Sequence, residues 1–336
     1  MSPAGGPPRF GHTELPGEQR AALRRAVKFE WITIGFLAVT TTLVFLVLGN
    51  SQAMKAAWIE DLLSFLPPIS FLVATRIIRR RPTENHPYGF HRAVGIAHLV
   101  AAVALFVMGA YLLIESGMAL VTAEHPTIGA VELFGQSFWL GWLMILVMLL
   151  TAGPPVYLGW VKMKLAKQLH DKVLYADADM NKADWTTALA AVVGVLGIGL
   201  GLWWADSAAA LLISLSILRD GVKNLRAAVG GLVDTRARTF DDSTPDPLGS
   251  RIDEYLQSLR WVKDARSRIR DEGHVYHIES FVVIDSRQMP KVQQLEDARQ
   301  ACIDMDWKVQ DIVLIPVSEL PEEFLPGISS TGGERT

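Results

Sequence analysis

An integral membrane bundle of six α-helices, followed by a small cytoplasmic α/β domain, is the fold the sequence predicts. Half of the 336 residues are hydrophobic and the mean hydropathy is +0.25, more apolar than an ordinary soluble chain. The apolar residues come in blocks of about 20, the length a helix needs to cross a hydrocarbon core of about 30 Å. Past Asp234 the blocks stop and short amphipathic segments take their place.

The first block is Phe29 to about Leu48, "FEWITIGFLAVTTTLVFLVL". The second, over about 56–76, contains "AWIEDLLSFLPPISFLVATR", and the third covers about 93–117. The fourth covers about 138–160, the fifth about 177–203, and the sixth about 207–229 after a short turn at Trp204–Asp206. Residues 1–27 read as a flexible arm, Pro/Gly-rich and then basic, and the apolar block behind them is too long for a signal sequence. The helical domain is then 28–234.

Loop charge orients the bundle. Arg79, Arg80, Arg81 and Arg92 lie in the 77–92 connection, and Lys162, Lys164, Lys167, Lys172 and Lys182 in the 161–183 connection. Arg20, Arg24, Arg25 and Lys28 precede the first block, whereas the 118–137 connection has no Lys or Arg. By the positive-inside rule both termini are cytoplasmic, with Trp139, Trp142, Trp203 and Trp204 in the aromatic belt of the opposite face. A bacterial inner membrane is the expected setting.

In the C-terminal part, 247–260 reads as an amphipathic helix and 262–270 and 275–284 as strands around an Asp271–Gly273 turn. A helix over 291–303 and a strand over 309–317 complete an α-β-β-α-β order. This domain takes 235–320, and 321–336 reads as a disordered tail. Net charge −3 argues against nucleic acid as a partner, and the single Cys302 excludes a disulfide scaffold or a cysteine metal cluster.

The chemistry sits in "LYADADMNKADW", residues 174–185. At 100° per residue Asp177, Met180, Asn181 and Asp184 share an arc of about 100°, while Asp179 and Lys182 face the other way as a surface pair. Asp177 alone is explained equally well as an acidic residue at a helix N-terminus. Asp184 lies deeper, ahead of an unbroken apolar run, where carboxylates mark ion pathways. The second block supplies Glu60 and Ser64 four residues apart, with Asp61 rotated by about 100°. Pro67–Pro68 just beyond should kink or open that helix. Oxygen ligands from two helices, without Cys and with few His, suit a hard to borderline divalent cation. Carboxylates that hold either the metal or protons are the minimum equipment for metal/proton exchange.

Three stretches resemble the cation diffusion facilitator family: "RRRPTENHPYGFHRAVGIAHLVAA", "ADADMNKADW" and "WWADSAAALLISLSILRDGVKNLRAAVGGLVD". The resemblance spans about 29–317. It implies export of divalent metal against protons by a homodimer with a ferredoxin-like cytoplasmic domain. It also implies an intramembrane site of Glu60 and Ser64 with Met180 and Asp184. Glu60 and Asp184 fit the family pattern; Ser64 and Met180 depart from it, and a shift of one residue would make Asp61 the ligand in place of Glu60. Asp61, Asp177 or Asn181 compensate for the departures in this reading, and the missing His favours iron, manganese or cobalt over zinc. Arg92 and Asp234 stand where family members form a charge interlock between subunits. The family's cytoplasmic ligands are replaced by apolar residues near Phe281 and Ile315, so the domain is expected to be a dimerisation platform, with His274 and His277 on a hairpin surface. His86 and His91 are expected to shape their loop, and Gly197 and Gly201 to let helices pack closely.

A secondary transporter is therefore expected, with the metal as cargo, no cofactor, and lipid, protons and a second copy as partners. The alternative is a non-transporting metal-binding or scaffold relative with a degenerate site. No Walker loop, HExxH or GxSxG motif is present, so an enzyme is not expected.

Overall fold

The computed structural model describes residues 15–324 except 79, 81, 82, 124, 126, 134, 135, 242 and 274. The chain divides into two compact units, one of 17–77 with 93–232 and one centred on 233 onward together with the 78–92 segment. The expectation for His274 lies outside the described residues, as do those for 1–14 and 325–336.

In the helical unit, α1 is Gly17–Val47, α2 Gln52–Leu63, α3 Leu66–Ile78, α4 Ala93–Val121, α5 Leu140–Leu169, α6 Lys172–Gly199 and α7 Trp203–Leu232. Among the described residues four stretches are long and apolar enough to cross a membrane: α1, α2 with α3, α4 and α5. α6 and α7 pack against them, α6 on α5 and α7 on α4. Alanines and small aliphatics dominate the shared core, from Ala53 and Ala57 through Ala188 and Ala191 to Ala209 and Ala210. Large side chains such as Leu46, Val100, Ile114, Trp142 and Leu150 face outward, an apolar exterior that suits lipid better than water.

Several boundaries differ from the sequence reading. α1 starts at Gly17, so 17–27 is helix rather than arm. The second block is broken: α2 ends at the Ser64 cap and α3 restarts at Leu66, which puts Pro67 and Pro68 in the first turn of α3, where a missing N–H has no helical partner to lose. α5 runs through Pro154–Pro155 to Leu169, and α6 begins at Lys172 with Asp171 capping the Leu174 N–H at 2.9 Å. The 161–183 "connection" is thus mostly helix, and its Lys162 is fully buried. The 118–137 connection carries a hairpin of β1 (Ala130–Leu133) and β2 (Gln136–Trp139). The last turn lies at 200–202, where Gly201 has φ +82, so Gly201 serves the turn and only Gly197, against Ala205, serves packing. The tightest approach is between α4 and α7. A Cβ on Gly109 would stand 2.7 Å from the Leu218 backbone, and one on Gly221 2.6 Å from the Phe106 backbone.

Asp206, in the first turn of α7, is completely buried and ties α7 to α2. Its carboxylate accepts from Ser51 Oγ (2.5 Å), Gln52 N (2.5 Å) and Ala53 N (3.3 Å), satisfying amides that open a helix and have no partner inside it.

The second unit matches the expected α-β-β-α-β order: α8 (Leu248–Gln257), β3 (Val262–Asp271), β4 (Tyr276–Ile284), α9 (Val292–Ile303) and β5 (Val309–Val317). The sheet order is β3-β4-β5, with β3 antiparallel and β5 parallel to β4. Among the described residues this sheet has three strands, and the strand that opens a β-α-β-β-α-β ferredoxin-like order is not seen. Ile252, Leu256, Ile278 and Ile312 fill the core. Cys302 is packed in this core, and burial pushes its thiol up to about 12.

His277 on β4 contacts Asp311 on β5 (Nδ1–Oδ2 2.8 Å), with Glu279 and Glu272 as further acidic neighbours and Tyr88 edge-on. The bond to Asp311 outweighs burial and raises the imidazole above its ordinary value. A raised histidine stabilises fully below its unfolded value of about 6.5, and that contribution is lost as pH rises through the folded value. Asp311→Asn should therefore lower hydrogen-exchange protection of β4 and β5 at about pH 5.5, with the deficit shrinking by about pH 9. Asp206→Ala should lower stability by about 2 kcal/mol or more, read as an earlier thermal unfolding transition in detergent.

Candidate metal centre

Glu60 and Asp61, in the last turn of α2, and Asp184, in the middle of α6, line one cavity. Thr40 of α1, Thr151 and Pro155 of α5, and Thr187 of α6 complete its polar and kinked wall. The cavity has about 20 Å³ of room, enough for one water or one ion stripped of its shell. Thr187 and Glu60 share the cavity wall, and Glu60 Oε2 is buried with no partner among the described residues. A carboxylate oxygen left open beside a cavity of that size is an acceptor waiting for a cation or a proton. Among the described residues no three His, Cys, Asp or Glu side chains come close enough together to form a ready-made metal cage.

The other residues singled out from the sequence lie elsewhere. Ser64 caps α2, and its hydroxyl donates to the Glu60 carbonyl at 3.0 Å, so it closes the broken helix instead of lining the cavity. Met180 packs against the bundle core. Asp177 is the sixth residue of α6, beyond the first turn, which removes the helix-terminus explanation. Its carboxylate pairs with Lys162 of α5, and Lys162 Nζ also reaches Glu30 Oε2 of α1 at 2.9 Å. Asn181 donates to the Asp177 carboxylate (3.1 Å) and to the Asp177 carbonyl (2.7 Å). Glu30, Lys162, Asp177 and Asn181 thus form a buried cluster on the face of α6 that also carries Asp184, about 10 Å further along. Asp179 finds its partner in Lys223 of α7, at 3.1 Å.

Sequence reading missed Glu30 and Lys162. Glu30 is a lone acid at the head of the first apolar block, whereas Lys162 lies past the apolar part of α5, where composition alone reads as loop although the helix continues to Leu169. Thr187 lies three residues past Asp184, on a face it shares.

In the second unit Arg92 Nη2 meets Asp234 Oδ1 at 2.6 Å, Arg270 Nε reaches the same oxygen at 3.2 Å, and Arg92 Nε lies 3.7 Å from Glu272. This pairing forms within one chain, so no partner subunit is needed to make it. Asp234 adopts φ +60, a left-handed conformation that Asp tolerates. His86 stacks on Phe90 at 4.5 Å and bonds Thr83 within its loop, and Phe281 and Ile315 are register partners on β4 and β5.

An apolar helical bundle enclosing a carboxylate-lined cavity defines an integral membrane protein with charged groups in its interior. Residues 31–233 match the cation efflux transmembrane domain, and the chain belongs to that family of metal cation transporters, the cation diffusion facilitators. It is 27% identical over 239 residues to the manganese efflux system protein MneS of Bacillus subtilis, covering 71% of this chain and 76% of that protein. It is 25% identical over 278 residues to the uncharacterized transporter YdbO of the same organism, covering 80% and 87%. The magnetosome protein MamM of Magnetospirillum gryphiswaldense is 26% identical over 208 residues, covering 60% and 62%.

Removing the Lys162 charge leaves two buried carboxylates facing each other. Lys162→Met should destabilise the protein by about 3–5 kcal/mol. Adding Glu30→Gln and Asp177→Asn to it should recover much of the loss, as a mutant cycle of unfolding transitions would register.

Proposed function

We propose that this protein exports a divalent metal cation from the cytoplasm in exchange for protons. The observation that carries the reading is the cavity itself: Glu60, Asp61 and Asp184 on its wall, and a Glu60 oxygen without a partner. Carboxylates in such surroundings must be neutralised, and a dication or protons would do it alternately. Because the cavity admits only a stripped ion, the carboxylates would replace hydration lost on entry. Alternating access would expose this point first to one side and then to the other.

The ligand set in this reading is Glu60, Asp61 and Asp184, with Thr187 on the same wall; Asp177 and Asn181 belong to the Lys162 cluster and Ser64 and Met180 to structure. An all-oxygen set without His favours manganese, iron or cobalt over zinc, and a relative named for manganese efflux supports the same choice. The bundle would span the membrane six times with both termini in the cytoplasm, in a bacterial inner membrane, and work as a homodimer. An interlock between subunits at Arg92 and Asp234 would require the pair to exchange partners.

The second reading, a non-transporting relative, draws on the lack of three converged metal-ligating side chains among the described residues. Flux separates the two. In proteoliposomes with a pH dye inside, manganese should drive proton movement through the wild type, and Asp184→Ala should abolish it while the protein still purifies as the same oligomer. Glu60→Gln and Asp61→Asn should each reduce flux by about tenfold or more, the loss of a charged ligand. Wild-type vesicles that move neither metal nor protons would favour the non-transporting reading.

A further inference from the structure

The helical unit holds a second cavity that shares no lining residue with the carboxylate cavity. It is a cleft of about 510 Å³, within the range of about 300–1,000 Å³ that small-molecule sites occupy. Asn50, Gln52 and Lys55 line it from the α1–α2 turn and the start of α2, His125 and Thr127 from the connection after α4, and Ser207 from α7.

Its chemistry is the reverse of the metal centre's. Among the described residues no Asp or Glu lines it. The lining offers an ammonium, an imidazole, two carboxamides and hydroxyls, all of which can donate hydrogen bonds. Ser207 is 1% exposed and its Oγ has no partner among the described residues, an unmet demand that a ligand in the cleft would satisfy. The His125 ring lies against Trp203, centroids 5.1 Å apart, and Lys55 is held by Glu115 while still lining the cleft. The first amides of α2 are already taken by Asp206 and Ser51, so side chains would have to do the holding.

A ligand with several acceptor oxygens and negative charge matches that donor set. Leu48 adds an apolar edge to the cleft. The geometry points to a phosphate-binding site at the α1–α2 end of the bundle, filled by the phosphate of an anionic lipid headgroup or by free phosphate. This site shares no side chain with the cavity of Glu60, Asp61 and Asp184.

Native mass spectrometry of the full-length protein in detergent, titrated with phosphatidylglycerol or with diacylglycerol, tests it. One phosphatidylglycerol should remain bound per chain, with occupancy lowered about fivefold or more in His125→Gln and in Ser207→Ala, and diacylglycerol should not be retained. A parallel thermal-shift titration with inorganic phosphate separates the sources. Stabilisation by phosphate alone, lost in the same two variants, assigns the site to free phosphate; retention of the lipid without that stabilisation assigns it to the headgroup. Binding of neither probe, equal retention of diacylglycerol, or occupancy indifferent to both substitutions overturns the proposal. Glu60→Gln/Asp184→Asn should leave binding intact, so failure here and failure of metal transport are distinguishable.

Discussion

A carboxylate enclosed by an apolar helix bundle has to be answered by donors, by a positive charge or by an exchangeable cation or proton, and the buried acids of this chain differ in what they meet. Asp206 is answered by donors: a serine hydroxyl and two backbone amides fill its oxygens, and the group becomes a fixed joint between α2 and α7. Glu30 and Asp177 are answered by the Lys162 ammonium, which binds α1, α5 and α6 together. Glu60, Asp61 and Asp184 border the ion-sized cavity, and one oxygen of Glu60 has no partner among the described residues. The division explains why acids of similar apparent promise in the sequence have different roles.

The electrostatic logic also accounts for the spacing along α6. Asp177 and Asp184 are seven residues apart, so they fall on nearly the same face two turns from each other. With Lys162 and Asn181 engaged at the first position, Asp177 is not available to the second, and the cavity keeps its own small acidic set. Thr187 stands on the same wall as Glu60, whose Oε2 has no partner among the described residues. The break at Ser64 belongs to the same design: it ends α2 just after the two acids and lets α3 start with prolines in a place where they do no harm.

Much of this was legible in the sequence, for reasons that can be named. Long apolar blocks located the helices, and the acids of "ADADMNKADW" and "WIEDLLSF" flagged the face and the two elements that build the cavity. Period-two and period-3.6 patterns laid out the α-β-β-α-β unit correctly. What failed were boundaries and partners. Helices α1, α5 and α6 run well past their apolar blocks, since hydropathy measures contact with lipid and not helicity. Lys162 therefore passed for a loop charge, and its pairing with Glu30 spans 132 positions, a separation no local pattern encodes. Ser64 and Met180 sat at the right spacing for ligands, yet a serine can spend its hydroxyl on the backbone and a methionine its thioether on packing.

Gly109 and Gly221 hold α4 and α7 so near that each helix's main chain occupies the space where the other's side chain would begin. Two rods in that embrace slide or separate only by losing contact along their whole length, so they travel as one plank. The walls of the carboxylate cavity come instead from α1, α2, α5 and α6, outside that plank.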